Sequence, residues 1–236
     1  MQRVLGNMRK AVQSYDMISP GDKIAIGVSG GKDSFVLLEG LFRLRKFLGV
    51  EFEIAAVTAD PQFGGVPGDF SAVSEFCQSR GIEYHLLPTH IGEIVFDIRR
   101  EKSPCSLCAR MRRGALHGLA SEIGCSKLAL GHNLEDAVET FMMNLLTEGR
   151  IGCFSPVTVL EDRKLTVIRP LVLCHEKEIK KAARAVGLPV VNSRCPADGH
   201  TNRQQTKELI NELEHRSPGV KERILGAMMR GNIDNW

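Results

Sequence analysis

No run of about 18 apolar residues occurs in this 236-residue sequence, so no transmembrane helix is expected. The opening residues hold no apolar stretch of the signal-peptide kind, which points to a cytoplasmic protein. There is no internal repeat and no low-complexity tract, which excludes solenoids and fibrous arrays. Neither sign of charge dominates. With 31 Lys and Arg against 28 Asp and Glu the net charge is only +3, so any anionic partner must be read from where the charges sit. Disulfides are not indicated, because seven cysteines, an odd number, lie scattered through a mid-sized chain with no secretory start. Cys77, Cys125, Cys153 and Cys174 stand alone and read as small core residues.

What is present is an alternation of strand-like and helix-like segments. Lys23–Val28, Phe52–Thr58, Tyr84–Pro88, Lys127–Gly131 and Leu165–Ile168 read as strands. Between and after them, Asp33–Leu48, Phe70–Arg80, Ala109–Ile123, Leu134–Leu146 and Glu176–Val186 carry helical periodicity, and two polar helices follow Arg203, broken near Pro218-Gly219. This pattern predicts an α/β fold, an open parallel five-stranded sheet with helices on both faces and a short helical C-terminal part. The expected organisation is a helical lead-in over 1–20, an ATPase-like domain over 21–195 and a helical extension over 196–236. Ligands in such sheets sit beyond the carboxyl ends of the strands, which places 29–34, 59–60 and 131–136 on one rim.

Ser29-Gly30-Gly31-Lys32-Asp33-Ser34 joins the first strand to the first sheet helix. Adjacent glycines allow a tight turn with bare N–H groups, the helix start adds positive potential, Lys32 adds a cation, and the serines add hydroxyls. The parts make a phosphate cradle. It is not a Walker A loop, since Gly27 stands one residue too close to Gly31 and Asp33 follows Lys32. On the same rim, Gly131, His132, Glu135, Asp136 and Glu139 follow the fourth strand, and Asp136 and Glu139 share a helix face. Acids beside a phosphate cradle suggest Mg²⁺, although acids at a helix start also suit its dipole. Asp60 reads either as a ribose or cation ligand or as a strand-end turn residue. Cys105 and Cys108 form a C-x-x-C, which is a redox pair or half of a metal site. Around it Arg99, Arg100, Lys102, Arg110, Arg112 and Arg113 face only Glu101, a surplus that suits nucleic-acid phosphates or a solvated surface.

SGGKDS after an apolar strand resembles the PP-loop of the ATP pyrophosphatase superfamily. Lys10–Leu38, GHNLEDAVET at Gly131–Thr140, and Arg169-Pro170-Leu171 followed by Glu176-Lys177-Glu178-Ile179 are similar to segments of the tRNA 2-thiocytidine synthetase family. The resemblance implies ATP bound by Ser29, Gly30, Gly31, Lys32, Asp33, Ser34, Asp60, Gly131 and His132, with catalysis by Lys32 and Asp136. It implies Mg²⁺ held by Asp136 and Glu139, and a 4Fe–4S cluster on Cys105, Cys108 and Cys195. Zinc completed by a histidine such as His200 is the other metal reading. It implies tRNA held by Arg110, Arg112 and Arg113, a cysteine desulfurase or other sulfur donor, and a homodimer. Adenylation of a cytidine C2 oxygen followed by its replacement with sulfur is the implied reaction. A different base or small molecule in the same chemistry, or an ATP-binding redox sensor, are the alternatives. The chain departs from the family's usual pattern by Glu135 in place of an aspartate, and by the lack of an extra cysteine near Cys195.

Overall fold

Lys23–Gly27 (KIAIG) forms β1, a strand with its interior residues fully buried, as befits a segment covered on both faces. It sits at the centre of the sheet. β1 pairs in parallel with β2 (Glu53–Asp60) on one side and with β4 (Lys127–Ala129) on the other. β3 (Glu83–Pro88) extends the β2 side, and β6 (Leu165–Ile168) the β4 side. The computed structural model describes residues 1–100, 104–191, 195–197 and 202–236.

The sheet has six strands in the order β3-β2-β1-β4-β6-β5, not the five expected. The added strand, β5 (Val157–Leu160), runs antiparallel to β6 from Val157 opposite Ile168 to Leu160 opposite Leu165. Its connection is the hairpin turn Glu161–Lys164, in which Lys164 takes a left-handed conformation (φ 49°). A four-residue edge strand, open on one side and with Val159 exposed, lacks the long apolar signature that marks its buried parallel neighbours.

Side chains alternate across the sheet as the pleat requires. Ile24, Ile26, Ile54, Ala56, Ala129 and Ile168 enter the main core. That core is closed by α1 (Gln2–Ser14), α2 (Lys32–Leu44), α3 (Ser71–Gln78), α5 (Leu134–Thr147), α6 (Glu176–Val186) and α8 (Val220–Arg230). Ala25, Val57, Leu128, Leu165 and Val167 face the other way, under Leu116, Leu119 and Ala120 of α4 (Pro104–Glu122). Helices thus cover both faces. α2 is the spine: Phe35, Val36, Leu37, Leu38, Leu41 and Leu44 are fully buried, each worth about 1.5–3 kcal/mol. α7 (Asn202–Arg216) packs on α5 and sends Ile210 into the main core.

α4 begins at Pro104, earlier than its periodicity suggested, because proline is preorganised for a first helical position. Cys105 and Cys108 therefore lie in its first turns. A π-helical segment over Glu93–Ile98 supports that end, with Ile91 and Val95 packed around Cys108. No described helix is long and apolar enough to cross a membrane.

Candidate active site

The strand order reverses between β1 and β4, which is where an open parallel sheet leaves a crevice for a ligand. The loops at these two strand ends meet there. Gly30 has φ +83°, and a Cβ on it would lie 3.2 Å from Val191 Cβ. Its carbonyl accepts a hydrogen bond from Val191 N–H (2.9 Å), which seats the chain beyond α6 on the glycine turn. A Cβ on Gly131 would come within 3.2 Å of the Asp33 backbone. Only glycine lets the β4 loop press so closely on the start of α2.

The turn separates two cavities. Ser29 and Gly31 line one of about 480 Å³, together with Ala59, Asp60, Phe63, Val66, Phe70 and Arg112. Lys32 and Asp33 line the other, of about 270 Å³, together with Asn133, Glu135, Asp136, Glu139, Glu176, Arg203, Gln204 and Lys207. The first mixes apolar rings with polar backbone and suits a nucleoside. The second is wholly polar and suits phosphates with a cation. Ser34 lies behind the turn. It is buried, its hydroxyl donates to Gly31 O (2.8 Å) and accepts from Ser29 N–H (3.2 Å), so it shapes the cradle from within.

Asp60 is buried, and its carboxylate accepts from Gln62 N–H (3.0 Å) and Gly68 N–H (2.9 Å). It holds the 62–68 loop, which carries Phe63 and Val66 to the nucleoside-sized cavity. His132 lines neither cavity. Its ring packs 4.9 Å from Phe154, and burial and then Arg169, Arg203 and Arg113 depress its pKa to about 3, so it is neutral at working pH. Arg169, also against Phe154, is buried and donates to Ser155 O (2.6 Å) and Thr158 Oγ1 (3.1 Å).

The acids at the start of α5 divide their labour. Asn133 caps the helix, accepting from Asp136 N–H, while Asp136 Oδ2 accepts from Asn133 N–H (2.9 Å). Asp136 Oδ1 turns toward Arg203 (3.8 Å). This aspartate thus caps the helix and also lines the polar cavity. Glu135 Oε2 accepts from Glu176 N–H (2.8 Å), so this residue anchors the start of α6. Glu139 is buried near Lys207 (3.9 Å) and Arg203 (3.7 Å). Burial raises its pKa to about 7, with Lys207 opposing and Asp136 adding to the rise.

Among the cavity residues that the sequence does not mark as ligand groups are three charged ones: Glu176, Arg203 and Lys207. Glu176 takes Lys32 Nζ on Oε1 (3.0 Å) and Lys207 Nζ on Oε2 (2.9 Å). Burial alone would raise its pKa, but the bonds from Lys207 and Lys32 override it and hold it at about 2. Burial would likewise lower the Lys32 pKa, yet hydrogen bonds to Asp33 and Glu176 leave it raised. Glu176 sat within a recognised segment, whereas nothing in the polar stretch of α7 marks Arg203 and Lys207.

Arg112 lines the nucleoside-sized cavity, while Arg110 and Arg113 are exposed on α4 and Arg99 and Arg100 are exposed before it. Lys102 and Glu101 lie outside the described residues, as does His200. Cys108 is buried and its thiol pKa is raised, first by burial, with Arg112 opposing and Cys195 and Cys105 adding to the rise. Cys105 is exposed and Cys195 half-buried. The three thiols therefore share one electrostatic neighbourhood despite about ninety residues of separation. Among the described residues no three His, Cys, Asp or Glu side chains converge as a single ion requires. A 4Fe–4S cluster makes a different demand, because each thiolate binds a different iron, and the donor set fits it. Mg²⁺ likewise needs only one or two carboxylates when substrate phosphates complete its shell, which Asp136 and Glu139 fit.

The chain matches the PP-loop domain family over residues 3–213. It is 43% identical over 222 residues to the tRNA-cytidine(32) 2-sulfurtransferase of Pelobacter propionicus, covering 93% of this chain and 82% of that protein. It is 39% identical over 235 residues to the protein of the same name from Geobacter sulfurreducens, covering 98% of this chain and 90% of that one. It also superposes on the U34-tRNA thiolase of Methanococcus maripaludis with its 4Fe–4S cluster, with TM-score 0.81 and 28% identity, covering 97% of this chain and 77% of that chain.

Proposed function

The chain belongs to the tRNA-cytidine(32) 2-sulfurtransferase family of PP-loop proteins, and from that premise we propose that it is a cytoplasmic, ATP-dependent enzyme converting a tRNA cytidine to 2-thiocytidine. The cytidine C2 oxygen attacks the α-phosphorus of ATP. The bond from that phosphorus to the bridging oxygen breaks, and pyrophosphate leaves with the electron pair. Hydrosulfide then adds at C2, the C2–O bond breaks, AMP departs with its electron pair, and loss of the sulfur-bound proton leaves the C2=S of 2-thiocytidine.

One observation carries this reading. Arg112 lines the cavity beside Ser29 and Gly31 and also acts on the Cys108 thiol, which feels Cys105 and Cys195. Arg112 thus links the nucleoside-sized cavity to the cysteines, which supports the reading because an adenylated base must meet sulfur without diffusing away. The chain's own residues supply the rest. Gly30, Gly31 and Ser29 cradle the phosphates. Lys32 stabilises the charge that develops as pyrophosphate leaves. Asp136 and Glu139 would hold a Mg²⁺ ion, which neutralises phosphate charge when bound. Cys105, Cys108 and Cys195 would hold the 4Fe–4S cluster, which when bound offers sulfur at an iron that has no protein ligand. Arg110 and Arg113 hold tRNA phosphates. The sulfur comes from a cysteine desulfurase or equivalent donor, its persulfide sulfur brought to the sulfide level by a thiol reductant, and the working unit is a homodimer.

The test is incubation of anaerobically prepared protein with unmodified tRNA, ATP, Mg²⁺ and a sulfide source. Digested tRNA should contain 2-thiocytidine in step with pyrophosphate release. Pyrophosphate released without any thiolated cytidine would remove this substrate assignment.

A further inference from the structure

We propose that α7 completes a pyrophosphate site, with Lys207 and Arg203 as its cations and Glu176 lying where a phosphate group binds between Lys32 and Lys207. The inference rests on the nucleotide reading above and adds Arg203 and Lys207, which lie outside the segments that carry the resemblance.

The geometry is that of a carboxylate in a phosphate's position. Glu176 presents one oxygen to Lys32 Nζ at 3.0 Å and the other to Lys207 Nζ at 2.9 Å. Two non-bridging phosphate oxygens would bridge the same two ammonium groups. Lys32 belongs to the cradle at the start of α2, and Lys207 comes from α7, so the carboxylate joins the two walls of one cavity. Arg203 stands one helical turn before Lys207, with its guanidinium 3.8 Å from Asp136 and 3.7 Å from Glu139. Lys32, Arg203 and Lys207 thus converge on about 270 Å³ of polar space.

The cations remain available. The Lys207 and Arg203 side chains are 36% and 44% exposed, so each can turn without unpacking a core. Their helix is nonetheless held in place, since Thr206 and Ile210 are buried and α7 packs on α5. Five carboxylates, Asp33, Glu135, Asp136, Glu139 and Glu176, line the cavity against these three cations. Pyrophosphate therefore enters with a divalent cation, which takes over the acids while Lys32 and Lys207 exchange Glu176 for phosphate oxygens. AMP alone occupies the nucleoside-sized cavity and does not reach α7.

Equilibrium binding of pyrophosphate, α,β-methylene-ATP and AMP, each with Mg²⁺, to the full chain tests this. Lys207→Ala should weaken pyrophosphate and the ATP analogue about tenfold or more, the effect of one charge-assisted contact, and leave AMP unchanged. Lys207→Arg should restore part of the loss, and circular dichroism melting should show both variants folded. Glu176→Gln, which removes the competing carboxylate, should tighten pyrophosphate binding. Wild-type affinities in Lys207→Ala would overturn the proposal, and weaker pyrophosphate binding in Glu176→Gln would overturn the placeholder role. A wild-type protein that binds pyrophosphate but never thiolates tRNA would leave this site standing while removing the substrate assignment.

Discussion

Glu139→Gln separates the electrostatic cost of the polar cavity from its packing. Glu139 is only 5% exposed, and its carboxyl is held at about 7 against an ordinary 4.5. Burial causes the rise, with Lys207 and Arg203 opposing it and Asp136 and Glu176 adding to it. The folded chain therefore keeps this proton up to near neutrality, while the unfolded chain releases it near pH 4.5. In that window the folded state binds more protons, so stability falls as pH rises from about 4.5 to about 7 and stays reduced above it. At about 1.4 kcal/mol per pH unit, the rise comes to about 3 kcal/mol. Glutamine has nearly the same volume and no charge to desolvate. The assay is urea unfolding of both proteins at pH 5 and pH 8. The variant should match wild type within about 1 kcal/mol at pH 5 and exceed it by about 3 kcal/mol at pH 8. Mg²⁺ with ATP should stabilise wild type more than the variant at pH 8, because the bound cation removes a deficit that the variant lacks. A difference between the two proteins that does not change with pH would refute the assignment of this strain to Glu139.

Lys32→Ala should abolish pyrophosphate release while lowering the melting temperature by only a few degrees, since its side chain is partly exposed and its partners Asp33 and Glu176 face solvent in the cavity; turnover at the wild-type rate would dismiss the cradle. Replacing Arg110 and Arg113 with alanine should flatten the log–log salt dependence of tRNA binding by about 1.5, at roughly 0.7–0.9 per phosphate. Adding Arg112→Ala should chiefly weaken ATP, because Arg112 lines the nucleotide cavity; an equal effect of all three on tRNA alone would count against that division. Single Cys→Ala changes at Cys105, Cys108 or Cys195 should each cost the iron content of anaerobic protein, whereas changes at Cys77 or Cys174, which are buried in the main core, should not. Full iron in Cys195→Ala would remove it as a ligand.

The parts whose chemistry is local are legible in the amino-acid order alone. A buried apolar run, two glycines, a lysine and an amphipathic helix lie consecutively, and adjacency alone makes Ser29–Ser34 the tight turn between β1 and α2. The same holds for Gly131–Glu139, where strand, cap and acids follow one another, and for the first turn of α4, where two thiols sit three residues apart. Tertiary structure decided what depends on distance across the chain. β5 is a strand because β6 offers it an edge, and its four residues, none of them buried, carry too little apolar pattern to announce it. Ser34 and Asp60 have the residue types of ligands, yet their partners in the fold are groups of their own loops, mostly backbone. Lys207 and Arg203 sit in a polar helix where any charge would suit solvent, and only the packing of α7 on α5 turns them toward Glu176 and Glu139. The pKa of Glu139 likewise comes from burial between α5 and α7, because a carboxyl's proton affinity follows its solvent and neighbouring charges and not its place in the chain.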